Sequence, residues 1–205
     1  MQNIATELFS KWAKNGKDKG MAEAHRSAVN QILDKTIGQK TSNFNFIDAG
    51  CGNGWVVRKV RNMPYCSSAL GVDGAAAMIQ NAKSSDPNGE YYLEDLLSWS
   101  PKNKTEFIFS MEVFYYFKYP ETLTKHIVDN WLVLGGMLAI GLDHYIGNPD
   151  SYSWSDDLNV HMTLRDENEW LQIFKDAGLT NCKSFKVNDS SSFAGTLAIC
   201  GELNN

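Results

Sequence analysis

Phe46-Ile47-Asp48-Ala49-Gly50-Cys51-Gly52-Asn53-Gly54 reads as a strand that runs into an acid and three glycines at alternate positions. The aromatic and β-branched residues up to Ile47 suit a buried strand over residues 43–48. Trp55, Val56, Val57 and Val60 follow at helical spacing. In such a strand–turn–helix the glycines let a ligand lie against bare backbone, and the N–H groups opening the helix point at it. The spacing narrows the ligand. A dinucleotide fingerprint needs its third glycine three residues after the second, and Trp55 stands there. A phosphate loop needs Gly-Lys-Ser/Thr, a triplet absent from the sequence.

Working outward, strands and helices alternate. The spacing predicts a helix over 53–61, strands at Ala69–Val72, Glu90–Leu93, Phe107–Ser110 and Gly136–Leu142, and helices over 75–83 and 120–131. Upstream, Leu8, Phe9, Trp12 and Ala13 suggest a short amphipathic helix. A loop with Gly16 and Gly20 follows, then a helix from Met21 to Ile37. Downstream, a helix near 165–177 precedes two strand-like runs, 181–187 and 193–200, facing each other across Asn188-Asp189-Ser190. Alternation of this kind means right-handed crossovers: a doubly wound, mostly parallel α/β sheet with helices on both faces, here closed by an antiparallel hairpin. One segment fits no ordinary connection. Asp143–Met162 holds His144, Tyr145, Tyr152, Trp154 and His161 without clear periodicity, and long irregular loops are usually binding loops or lids.

The pattern Asp-x-Gly-x-Gly-x-Gly from Asp48 to Gly54 resembles the first motif of class I S-adenosylmethionine-dependent methyltransferases. The likeness runs from about Phe44 to Ile140, with the motifs in family order, and weakens toward the C-terminus. It implies a Rossmann-like, seven-stranded sheet in one domain over 1–205. The parts would be an N-terminal helical cap (1–40), a cofactor core (43–142), a substrate lid (143–163) and a C-terminal helix and β-hairpin (164–205).

The resemblance assigns S-adenosyl-L-methionine as cofactor, with S-adenosyl-L-homocysteine as product, and carries over position by position. Asp48 would meet the cofactor's ammonium, with a turn or helix cap as its plain alternative. Gly50, Cys51, Gly52 and Gly54 would give the close backbone approach, although Gly54 can equally serve helix–sheet packing. Asp73, about twenty residues on, suits the ribose hydroxyls, or the cap of the next helix; Gly74 follows it where the family often has an apolar residue. Asp95 and Leu96 correspond to the adenine contacts, with Glu94 a rival by one register slip. Met111 and Glu112 border the methionine end.

On the acceptor side a general base is needed where the nucleophile begins protonated. His144, leaving the last parallel strand, and Tyr116 are the catalytic candidates. His25, Tyr115, Tyr145, Trp154 and His161 are expected to line the acceptor. The aromatic faces, with Asp150, Asp156 and Asp157 nearby, would either select a cationic or flat acceptor or simply pack the lids shut.

Composition narrows the partners. The formal charge is −5 over 205 residues and the lysines are scattered, which argues against nucleic acid. The four cysteines show no metal spacing, so no metal is expected. Neither a signal-peptide core nor a membrane-length apolar run is read in the sequence, giving a cytoplasmic monomer or homodimer as the expectation. The leading function is methyl transfer to a small-molecule acceptor. The alternatives are a non-catalytic nucleoside-binding protein, or a methyltransferase acting on protein or RNA.

Overall fold

The computed structural model describes residues 4–204, so residues 1–3 and 205 of the expected 1–205 domain lie outside the described residues. Strands β1 (Phe44–Ala49), β2 (Cys66–Asp73), β3 (Glu90–Leu93), β4 (Thr105–Met111), β5 (Leu132–Leu142), β6 (Thr180–Val187) and β7 (Thr196–Glu202) form one sheet in the order β3-β2-β1-β4-β5-β7-β6. All neighbouring pairs are parallel except those of β7, which runs antiparallel to both β5 and β6. The expected seven-stranded, mostly parallel sheet with a C-terminal hairpin is the one that forms.

The sheet is a wall between two cores because alternate residues along each strand face opposite sides. Ile47, Ile108 and Ile140 face one core. It is filled by Leu123 and Ile127 of helix α5 (Pro120–Asn130) and by Trp170 and Phe174 of α7 (Glu167–Asp176). Phe46, Phe107 and Ala139 face the other. There Ile32 and Leu33 of α2 (Lys17–Thr36) and Val57 and Val60 of α3 (Trp55–Arg61) complete the layer. Phe46 and Phe107 stack across β1 and β4 with ring centroids 5.8 Å apart. Being covered on both faces is what makes these strands apolar at nearly every position.

Two local differences from the sequence reading have physical causes. Helix α1 (Ile4–Lys14) and α2 are separated only by Asn15-Gly16, with Gly16 at φ +73°. Gly20 lies inside α2 and not in a loop, because Asp18 in the first turn is tied down by Asn53 Nδ2 (2.9 Å to Oδ2). At the other end, β7 begins at Thr196 and not Phe193. Phe193 makes only an isolated bridge to Ser190 before Gly195, at φ +86°, turns the chain into the sheet.

The segment expected as a lid is an insert with secondary structure of its own and a small packed interior. It contains a 3-10 turn (Pro149–Ser151) and a short helix α6 (Trp154–Leu158), and buries His144, Tyr145, Asn148, Ser151 and Met162. Asn148 Nδ2 donates to the Asp143 carbonyl (2.7 Å), and the Ser151 hydroxyl donates to the Asn148 carbonyl (2.8 Å).

What positions the site is the order of the strands. The chain winds from β1 outward to β2 and β3, then returns to β4 and β5 on the other side. Open α/β sheets bind ligands at such a reversal, beyond the carboxyl ends of the strands.

Candidate active site

A cavity of about 540 Å³ opens at that reversal, between the tips of β1 and β4. Its floor is the glycine turn. Gly50, Gly52 and Gly54 all take positive φ (+83°, +52° and +74°), a conformation side chains disfavour. They differ in what surrounds them. A Cβ on Gly52 would meet nothing nearer than the Met78 sulfur at 3.9 Å, so its bareness leaves space in the cavity. A Cβ on Gly54 would lie 2.4 Å from the Tyr91 ring. Gly54 is buried and off the cavity wall, and of the two uses open to it the structure favours helix–sheet packing.

Asp48, the last residue but one of β1, is 2 % exposed and lines the cavity, with no hydrogen-bond partner among the described residues. Burial, and then the Asp73 charge, push its carboxyl well above the usual carboxylate range. An acid left this way is a demand for a positive ligand group. Asp73 ends β2 and is held by two backbone donors, Gly52 N–H to Oδ2 (2.8 Å) and Ala75 N–H to Oδ1 (2.7 Å). These oppose a rise caused by burial. Each oxygen retains a second lone pair, so Asp73 fixes the loop and can still receive two hydroxyls. Glu94, Asp95 and Leu96 follow β3 along the same rim, and Cys51, Gly74 and Met111 also line it. Asp95 Oδ1 accepts from the Leu97 N–H at 3.0 Å.

Beyond β4 the wall changes character. Glu112 sits at φ +60°, a strained position for a side-chain residue. Its carboxylate accepts from the Asp143 N–H and from the Tyr115 hydroxyl (2.7 Å). Burial and the nearby Asp143 charge push its carboxyl well up. His25, on α2, faces the cavity, with Nε2 3.7 Å from Asp143 Oδ2. Burial lowers the His25 pKa, and Asp143 only partly opposes this. Asp143, raised by burial, is held from behind by the Thr196 hydroxyl at 2.6 Å. Ligand atoms of His25, Glu112 and Asp143 lie within 4.8 Å of one another. Both acids are already engaged by Tyr115, Thr196 and the Asp143 N–H, which suits the cluster to holding protons.

The acceptor-side candidates fall in different places. His144, 2 % exposed, lies off the cavity wall; its Nδ1 is 3.0 Å from the Ser151 carbonyl and its ring stacks on Trp154. The reason is alternation: Asp143 and His144 leave β5 on opposite sides, and Asp143 takes the cavity side. Tyr145 is buried, its hydroxyl donating to the Gly195 carbonyl (2.9 Å). Trp154 and the exposed His161 belong to the insert and do not line the cavity. Tyr115 is buried behind the wall and acts through Glu112, whereas Tyr116 does line it, with Phe9 edge-on at 5.2 Å. Burial pushes the Tyr116 hydroxyl up, so it is a hydrogen-bond donor at neutral pH.

The roof comes from the segment expected as the N-terminal cap, although of the residues that line it only His25 was named as facing the site from the sequence. Phe9 of α1, and Asp18, Met21 and Ala22 of α2, cover the cavity with His25. The signal was present: Met21, His25, Ala28, Val29 and Ile32 lie on one helical stripe. Asn53 links roof to floor through Asp18.

The methyltransferase-domain family matches residues 12–184. Among curated relatives, malonyl-[acyl-carrier protein] O-methyltransferase 2 of Ilyobacter polytropus is 29% identical over 143 residues, covering 67% of this chain and 54% of that protein. The chain thus spans about half the length of that relative. A chain from the Haloferax volcanii complex between a methyltransferase activator and a methyltransferase superposes with a TM-score of 0.82 at 24% identity, covering 96% of this chain and 98% of that one. The N-methyltransferase NodS of Bradyrhizobium japonicum, solved with S-adenosyl-L-homocysteine, gives 0.69 at 19% identity, with 88% and 87% covered. No helix among the described residues is long and apolar enough to cross a membrane. With the family match over most of its length and this sheet order, the chain belongs to the methyltransferase-domain family and has the Rossmann-like fold of the class I S-adenosylmethionine-dependent methyltransferases.

Proposed function

We propose that the protein transfers a methyl group from S-adenosyl-L-methionine to a small-molecule acceptor. The observation that carries this reading is Asp48, a buried acid with no hydrogen-bond partner among the described residues, facing a cradle kept open by Gly52. The cofactor has an ammonium group for Asp48, a ribose diol for Asp73, and an adenine for Asp95 and the Leu96 backbone. Its carboxylate suits the N–H groups that open α3. When bound, the cofactor supplies a methyl group on a sulfonium. The chain's own work is to hold the acceptor in line, exclude water and take a proton where one must leave. The roof from α1 and α2 and the half-closed cavity favour a small acceptor over a folded macromolecule.

Calorimetry provides the test. S-adenosyl-L-homocysteine should bind with one site per chain, and NAD should not bind. Preference for NAD would overturn the reading. Binding without methyl transfer to any acceptor would favour the non-catalytic alternative.

A second expectation concerns Asp73. Because it both braces the loop and faces the cavity, Asp73→Ala should lose affinity and stability together. The expected losses are about 1.5–3 kcal/mol of S-adenosyl-L-homocysteine binding and about 1 kcal/mol of folding free energy for the lost loop and cap bonds. A lowered melting temperature with unchanged affinity would leave Asp73 as a brace alone.

A further inference from the structure

The charge along the cavity wall is one-sided. Asp18, Asp48, Asp73, Glu94, Asp95 and Glu112 all line it, and no lysine or arginine does among the described residues. The strand order sorts these acids. Asp95 follows β3, Asp73 is the last residue of β2 and Asp48 the last but one of β1, the strands assigned to the cofactor. Glu112 stands at the tip of β4, with Asp143 behind it at β5, beyond the cofactor's share. Asp18, 4 % exposed in the roof, keeps Oδ1 without a hydrogen-bond partner. The aromatic faces of Phe9, Tyr116 and Phe117 share this end of the cavity.

A carboxylate or phosphate acceptor needs a guanidinium or ammonium partner, and a buried anion without one is strongly disfavoured. Here it would also face Glu112. A positive acceptor meets the opposite situation, since acids beside aromatic rings are what a desolvated ammonium requires. We propose that the acceptor is an amine, entering as its ammonium ion against Glu112 and Tyr116, with His25 taking its proton. The proposal rests on the methyl-transfer reading above and names the substrate class for it.

The proton balance follows. The ammonium gives one proton to the neutral His25 imidazole at Nε2, leaving a free lone pair on nitrogen. Asp143 Oδ2, 3.7 Å from Nε2, then faces an imidazolium, and the buried charge is paired. The amine nitrogen attacks the sulfonium methyl: a C–N bond forms, the C–S bond breaks, and its electron pair stays on sulfur. The product leaves as the methylated ammonium, and His25 returns its proton to water. The acids gathered around His25 are Asp143 and Glu112, and burial raises both carboxyls, so an imidazolium or an ammonium between them favours their charged forms.

The test reads the product's chemistry without naming the acceptor beforehand. The full-length protein is incubated with methyl-tritiated S-adenosyl-L-methionine and the small-molecule fraction of a cell extract, and with tyramine and 4-hydroxyphenylacetate as a matched amine and acid. Once the unreacted cofactor, itself a cation, has been separated by chromatography, labelled product should be retained on a cation exchanger at pH 3 and keep its label through mild alkali. With tyramine it should co-migrate with N-methyltyramine; co-migration with the phenol ether would overturn the assignment. Label released as volatile methanol would identify a methyl ester and overturn the amine assignment, leaving methyl transfer intact. Alkali-stable label that passes the cation exchanger would mark a neutral or acidic acceptor and also overturn it. If no labelled product forms in any mixture, methyl transfer itself fails and the assignment falls with it. As a second readout, Glu112→Gln should raise KM for the labelled amine at least tenfold while S-adenosyl-L-homocysteine affinity changes less than threefold. Equal change in both would place Glu112 with the cofactor and count against the proposal.

Discussion

Asp48→Asn should weaken S-adenosyl-L-homocysteine binding by about tenfold to a hundredfold, or 1.5–3 kcal/mol for a lost hydrogen bond to a charged group, and at the same time raise the melting temperature of the ligand-free protein. Both effects come from the same burial. In the free protein the buried carboxyl has no hydrogen-bond donor among the described residues, and Asp73 repels its charged form. An amide of the same shape removes that cost.

The sign of the pH dependence follows from the raised pKa. The folded state holds a proton that the unfolded chain releases near pH 3.9. Asp48 therefore contributes stability below that value, and the contribution is lost as pH rises through the folded pKa. Ligand binding runs the other way. An ammonium favours the charged carboxylate, so binding expels a proton and affinity climbs with pH through the same window. Calorimetry in buffers of different ionisation enthalpy measures the released proton directly. Equal affinity in the variant, or no proton release, would move the ammonium away from Asp48.

The glycine turn separates ligand binding from folding. Gly54→Ala should destabilise the fold by about 2–5 kcal/mol, the sum of a left-handed backbone penalty and an overpacked contact, lowering the melting temperature by about 5–15 °C. The obstruction is rigid. Tyr91 is 4 % exposed, and its hydroxyl donates to Asp86 (2.9 Å), which pairs with Arg61 at 2.8 Å. Burial and the Asp86 bond push that hydroxyl up to about 12, so it stays a donor at physiological pH. Gly52→Ala should behave differently, with about 1 kcal/mol of backbone strain and its main loss in cofactor affinity. Its Cβ enters cavity space and meets no protein atom closely. Thermal melts with and without S-adenosyl-L-homocysteine distinguish the two, and the same pattern in both variants would contradict this division.

The fold was legible because its signals are local. The apolar run before Asp48, the glycines after it, and the alternation of helix and strand each follow from a few neighbouring residues. The strand order was not read from the sequence, because it depends on pairings between residues far apart in the chain, such as β5 with β7. Asp48, Asp73 and Asp95 were readable as cavity residues for the same local reason as the fold, since each lies at or just beyond the end of a parallel strand. The acceptor side depends on which way a side chain points after a strand ends. His144 adjoins the site in sequence and faces away from it, while His25, more than a hundred residues earlier, reaches the cavity because α2 crosses above β5. Tyr145 and Trp154 read as lid aromatics because the loop lacked periodicity. Their packing is set by Asn148, Ser151 and Gly195, whose hydrogen bonds no periodic pattern announces.

The cavity draws its lining entirely from residues 5–25 and 48–117. Everything after Phe117 contributes only from behind, through Asp143 and Thr196. The two lining stretches are tied to each other by few side chains, chiefly Asp18 with Asn53 and Asn81. In modular terms the roof is the separable part of this architecture, and the rest of α2 belongs to the core. A different roof seated on the same sheet would alter which acceptor is admitted and leave the nucleoside seat as it is. The roof stretch that lines the cavity, residues 5–25, ends before Ala28, Val29, Ile32 and Leu33, so the roof can change while the core-facing part of α2 stays in place.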